Sequence, residues 1–266
     1  MSPFLSRLAV VAAGLPIVLG GAYLGGWFLF TLTAAGGLVA LHEFYRVARP
    51  LRPLVLAGYG GAVAGLLGAE LDGAAWMLGG ILLTFVLAFV FAALSETRQS
   101  TTVAIAATVL GAGWIGLGLG HLVLIRDLEL NGRLAAITVL LTVFVTDTVA
   151  YLAGRFAGRH KMTPVVSPGK TWEGFTAGAA AGIFTTFLAL YKEDLFDDTW
   201  RSLALGAVIV AAGTLGDLFE SLVKRDLGTK DTGRILLAHG GVLDRVDSLL
   251  FAAPAAYFTL LALGRV

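Results

Sequence analysis

Residues 134–154 read LAAITVLLTVFVTDTVAYLAG. At 1.5 Å of rise per residue, about 20 apolar residues in a helix cross the hydrocarbon of a bilayer, so this stretch is a candidate spanning helix. Its one charge is Asp147, with LLTVFVT before it and TVAYLAG after it. A carboxylate at that depth costs about 2.5 to 3.5 kcal/mol on insertion scales, so it normally has both a partner and a task. The alternative is a carboxylate paired to a neighbouring helix for packing alone. Tyr151, four residues on, shares its helical face.

Read outward with the same window, the chain offers nine spans, near 5–24, 26–45, 53–69, 74–94, 101–125, 134–154, 173–191, 202–219 and 248–264. Composition agrees. Of 266 residues 57% are hydrophobic and 14% charged, with mean hydropathy +0.84, whereas a soluble domain carries about 25% charged residues. Soluble, disordered and fibrous classes are excluded, and the expected fold is an all-α, polytopic membrane helical bundle. The 35 glycines approach twice the usual share of about 7% and suit helices that pack closely in lipid. There are no cysteines, so thiolate chemistry and Cys-ligated metals are excluded. Arg7 is the only basic residue at the start of the first span and hydrophobic spans follow at once, which argues against a cleaved signal peptide.

With nine spans, alternate loops share a side, and the 19 Lys and Arg residues divide 14 to 5. The positive-inside rule puts the larger share, and with it the N-terminus, in the cytoplasm. Compactness and the lack of a targeting segment point to a bacterial plasma membrane. Residues 1–133 offer only apolar spans. Residues 134–266 hold the polar motifs and are expected to form the catalytic transmembrane region, with its site facing the cytoplasm.

The cytoplasmic-side acids of that second half collect in two segments, 144–175 and 213–248. Asp217, Ser221 and Lys224 fall at i, i+4 and i+7, one stripe on a helix. Asp244 and Asp247 share a face if the last helix begins there. Carboxylates with little His and no Cys suit a hard cation such as magnesium, which takes one or two carboxylates plus substrate phosphates. Lys170, Lys224, Arg225, Lys230, Arg234 and Arg245 lie among them, the groups that hold phosphate oxygens. Gly240-Gly241 and the SPGK turn at 167–170 offer backbone amides for phosphate. This pattern supports a metal-dependent phosphate site at a membrane face and does not name the substrate. An ion or metabolite transporter is the competing class, with Asp147 in a conduction path; against it, the polar residues gather on one face. His42, His121 and His160 fall in no motif and read as structural or solvated. Trp172 and Tyr151 suit either base stacking or interface anchoring.

SLVKRDLGTKDTGRILLAHGGVLDRVD, Ser221 to Asp247, resembles the signature of the phosphatidate cytidylyltransferases, or CDP-diacylglycerol synthases, and the upstream DTVAYLAG from Asp147 and SPGKTWEG from Ser167 follow in the family's order. Leu237-Ala238 stand where the family usually has Pro, often with Gly. The resemblance implies the reaction of CTP with phosphatidate, with magnesium and room for a second cation. Asp217 and Asp244 are then the first metal ligands, with Asp231 and Asp247 next. Lys224, Arg225, Lys230 and Arg245 clamp phosphates and His239 bonds phosphate or braces its turn, which completes the catalytic set. Asp147, Tyr151, Ser167, Lys170, Glu173 and Ser221 bind substrate. CTP, phosphatidate and membrane lipid are the expected partners, nucleic acid is not, and a small-residue-rich bundle could form a homodimer. A related nucleotidyltransferase or kinase using another lipid phosphate is the alternative within enzymes.

Overall fold

A backbone in hydrocarbon must satisfy its own N–H and C=O groups, so apolar runs become helices. The computed structural model describes residues 3–95, 100–129, 131–193, 196, 198–233 and 240–263, with side chains from residue 14 onward. Its helices are α1 (Pro3–Leu24), α2 (Gly26–Val47), α3 (Val55–Asp72), α4 (Ala74–Leu94), α5 (Thr101–Gly111), α6 (Gly118–Arg126), α7 (Gly132–Ala157), α8 (Trp172–Ala189), α9 (Thr199–Asp226) and α10 (Leu243–Ala262). A π-helical segment, Ala112–Leu117, joins α5 to α6. Among the described residues six helices are long and apolar enough to cross a membrane: α2, α4, the rod Thr101–Arg126, α7, α9 and α10. The other three expected spans fall on α1, α3 and α8. The chain is an all-α membrane bundle.

Two short strands are the exception. β1 (Lys161–Thr163) and β2 (Ser167–Thr171) pair antiparallel between α7 and α8, with Lys161 opposite Thr171. The SPGK stretch is therefore strand, not turn. The turn is residues 164–166, where Pro164 fits because proline presets φ and lacks the ladder donor. Two helix limits also differ from expectation. The last helix begins at Leu243 instead of near 248, because the Asp244 carboxylate reaches back to accept the Gly241 N–H at 2.7 Å, as an acid in the first turn can. Helix α9 runs to Asp226, well past 219. Its Glu220–Lys224 pair, four residues apart, supports the helix beyond the apolar run.

The most extensive pairings are α3 with α4, α7 with α8 and α9 with α10; α10 also touches α2, α6 and α7. Close approach fixes the α7–α8 crossing: a methyl at Gly178 would lie 2.7 Å from Thr146 O and 2.8 Å from Ala150 Cβ. Thr142 and Thr186 hydroxyls bond across the same contact at 2.8 Å. The wider π turn carries Trp114 inward, edge-on to Phe219 of α9 at 4.9 Å and to Phe44 of α2 at 6.0 Å. Facing outward, Leu78, Leu82, Phe85 and Phe89 make an exposed apolar stripe along α4, at the spacing of one helical face, which lipid would cover.

Adjacent glycines of α4 give a test of this packing. A methyl at Gly80 would overlap the Gly65 backbone of α3, whereas Gly79 has open space around it. Gly80→Ala is expected to destabilise by about 1–3 kcal/mol, as overpacking does, while Gly79→Ala leaves stability unchanged or slightly raised. Thermal unfolding of the two variants in detergent checks the contrast.

Candidate active site

The polar segments meet in one cavity of about 720 Å³, walled by α7, the hairpin, α8, α9 and α10. Helical spacing brings Asp147, Tyr151, Gly154 and Arg155 of α7 to it, and Thr214, Asp217, Glu220 and Lys224 of α9. Asp244, Arg245 and Asp247 enter from the first turns of α10, and Lys161, Met162, Ser167, Gly169 and Lys170 from the hairpin. Five carboxylates and five cations, Arg155, Lys161, Lys170, Lys224 and Arg245, thus line the space among the described residues.

Two lysines hold three of the five acids. Lys224 Nζ stands 2.5 Å from Glu220 Oε2 and 2.8 Å from Asp244 Oδ1, bridging α9 to α10. Lys170 Nζ stands 2.9 Å from Asp217 Oδ2 and binds the hairpin to α9. The second oxygen of Asp244 accepts the N–H groups of Gly241 (2.7 Å) and Thr232 (3.3 Å). Gly240, with φ +78°, makes the tight approach that this needs; a methyl there would lie 2.7 Å from Asp244 Oδ2. Asp247 is 8% exposed, and its Oδ1 accepts the Ser248 N–H at 2.7 Å. Glu220 Oε1 and Thr146 Oγ1, both in the lining, are buried without a hydrogen-bond partner, so the walls carry unused acceptor capacity.

Of the residues expected from sequence, Asp147, Tyr151, Ser167, Lys170, Asp217, Lys224, Asp244, Arg245 and Asp247 line this cavity. Ser221 lies behind it and donates to Asp217 Oδ1 at 3.4 Å. Glu173 is not in the lining. It bonds His160 Nδ1 at 2.5 Å and accepts the Arg159 and His160 N–H groups, closing the base of the hairpin. Arg225 is exposed and donates to Val166 O at 3.5 Å. Lys230 and Asp231 are exposed beyond the end of α9 and are likewise outside the lining. His239, Arg234 and Leu237-Ala238 lie outside the described residues.

Sequence reasoning passed over Glu220, Arg155 and Lys161. Glu220 is three residues from Asp217 and four from Lys224, so the same helical spacing would have found it. The donor set is hard oxygen, which suits magnesium. Among the described residues no three acidic or histidine side chains stand together as a metal-binding group.

A model of the cytidylyltransferase family matches residues 5–263. A phosphatidate cytidylyltransferase of Staphylococcus epidermidis is 34% identical over 255 residues, covering 94% of this chain and 95% of the relative. Proteins of the same name from Staphylococcus haemolyticus and Staphylococcus aureus are 38% identical over 174 residues and 40% over 164, covering 65% and 62% of each chain. With Lys224, Asp244 and Asp247 of its signature in one cavity and a match along nearly its whole length, this chain belongs to the cytidylyltransferase family.

Proposed function

We propose that this chain transfers the cytidylyl group of CTP to phosphatidate, leaving CDP-diacylglycerol in the membrane and releasing pyrophosphate. The observation that carries the reading is the cavity of about 720 Å³, within the range of small-molecule sites, whose charged walls sit inside an apolar bundle. The relatives' names supply the substrates. A phosphate oxygen of phosphatidate attacks the α-phosphorus of CTP, a new P–O–P link forms, and the bond from the α-phosphorus to the β-phosphate oxygen breaks. No general base is required, because a phosphate monoester is already ionised at neutral pH.

Lys170 and Lys224 orient the triphosphate, and Arg155, Lys161 and Arg245 are the further cations that would meet the lipid phosphate and the departing pyrophosphate. Tyr151 offers a face for the base and Ser167 a hydroxyl. From the family resemblance, Arg225, Lys230 and His239 are proposed to meet phosphates and Asp231 to join the metal ligands, with Glu173 keeping the hairpin closed. Five acids and five cations face the space among the described residues, and a triphosphate would add negative charge to it. Asp217 and Asp244 would hold magnesium, with Asp247 beside them. Bound there, the ion would offset developing charge on the transferred phosphorus.

We further read the bundle as nine spans with the N-terminus and the cavity on the cytoplasmic side of a bacterial plasma membrane. The 14-to-5 division of basic residues supports this. Homodimer formation is consistent with the glycine-rich helices.

The direct test supplies purified protein in detergent with phosphatidate, magnesium and CTP labelled in the cytosine. Label should pass into extractable lipid, in step with pyrophosphate release, and stop with EDTA; label retained in the aqueous phase by folded protein refutes the reading. Asp217→Asn, Asp244→Asn and Lys224→Met are each expected to lower that rate about 10²-fold or more. Because the chain has no cysteine, topology is open to single-cysteine labelling. Lys192→Cys should react with an impermeant maleimide in intact cells, and His160→Cys only after permeabilisation; the reverse pattern rejects the orientation.

A further inference from the structure

Glu43 belongs to α2, in the half of the chain that carries no motif, yet it is 0% exposed and lies against the signature segment. Its Oε2 accepts the Leu243 N–H at 2.9 Å, across 200 residues of sequence. Gly233 and Gly241 turn bare Cα atoms to the same carboxylate, and a methyl at either would overlap it. One turn along α2, Arg46 donates to the Thr232 carbonyl at 3.1 Å. Asp244 holds the opposite face of this segment, through the N–H groups of Gly241 and Thr232. The segment's two ends are thus clasped between a carboxylate of α10 and a carboxylate of α2.

We infer that Glu43, assisted by Arg46, is a positioning residue that sets where Asp244 and its partner Lys224 stand in the cavity. Leu243 is the residue next to Asp244, so the Glu43 bond fixes the first turn of α10 from which the Asp244 carboxylate reaches Lys224. A carboxylate this deeply buried is costly unless its oxygens are bonded; Oε2 accepts the Leu243 N–H while Oε1 is buried without a hydrogen-bond partner, so the brace rests on one oxygen. Two glycines are what allow it to approach the backbone this closely. The inference rests on the cytidylyltransferase reading for its catalytic consequence and on the contacts above for its geometry.

The test joins amide hydrogen exchange to kinetics on the full chain in detergent. Glu43→Ala should speed exchange at the Gly241 and Leu243 amides about tenfold and lower kcat about tenfold, the size of one hydrogen bond to a charged acceptor. KM for CTP should change by a smaller factor than kcat, because Lys170 and the hairpin still hold the triphosphate when Lys224 is displaced. Glu43→Gln keeps an acceptor oxygen for Leu243 and should return both readouts to within about threefold of the parent chain. Unchanged exchange in folded Glu43→Ala, a rise in KM with kcat intact, or a Glu43→Gln as impaired as Glu43→Ala would each overturn the inference. Should Glu43→Ala not fold, Gly241→Ala pushes the segment away from an intact Glu43 and must show the same faster exchange and lower kcat; parental values in both overturn it. A parent chain that turns over no CTP refutes the proposed function alone, and the exchange arm still decides whether Glu43 braces the segment.

Discussion

A carboxylate inside an apolar bundle carries a desolvation penalty of several kcal/mol unless a cation and further hydrogen bonds meet it. Lys224 meets that requirement for two acids at once, Glu220 on its own helix and Asp244 on the next. Without it, α9 and α10 would present like charges to each other across their most intimate contact. Lys170 does the same for Asp217 and ties a hairpin, not a helix, to the wall. The placing of Glu220, Asp244 and Asp217, and the ties of α9 to α10 and to the hairpin through them, rest on these two ammonium groups. Removing either partner of such a pair leaves an uncompensated buried charge, which is why the site and the fold are coupled here.

The rest of the bundle serves this arrangement by bringing backbones close. Gly178 lets α8 lie against α7, and Gly216 lets α9 lie against α10, where a methyl would meet Asp247 O at 2.5 Å. The π turn at Ala112–Leu117 adds the aromatic chain Trp114–Phe219–Phe251, which runs from the α5–α6 rod through α9 to α10. Helices α2, α9 and α10 are thereby fixed to one another below the polar cavity. The N-terminal half supplies no cavity-lining residue among those described, but it supplies the framework against which the signature segment is set.

Much of this was legible in the amino-acid order. The apolar run around Asp147 identifies a membrane bundle, and the i, i+4, i+7 spacing of Asp217, Ser221 and Lys224 puts those groups on one stripe of α9. The hairpin was not legible, because SPGK alternates no apolar and polar residues and carries two residues, Pro and Gly, that ordinarily mark turns. Glu220 was overlooked because an acid four residues from a lysine near a helix end reads as an exposed surface pair; burial, which sequence spacing does not report, makes the difference. Lys230 and Asp231 belong to the signature without reaching the cavity lining, since a motif records order along the chain and not which side of a loop faces inward. Glu43 could not be paired with Leu243 from sequence at all: nothing local links residues 200 positions apart.

The most direct measurement is an experimental structure of the chain with a non-hydrolysable CTP analogue and manganese, with the metal located by anomalous scattering. The expected result is a triphosphate against Lys170 and Lys224, with manganese bonded to Asp217 or Asp244 and to phosphate oxygens. A nucleotide seated away from these lysines, or manganese bound without either aspartate, would contradict the assignment of this cavity as the catalytic centre.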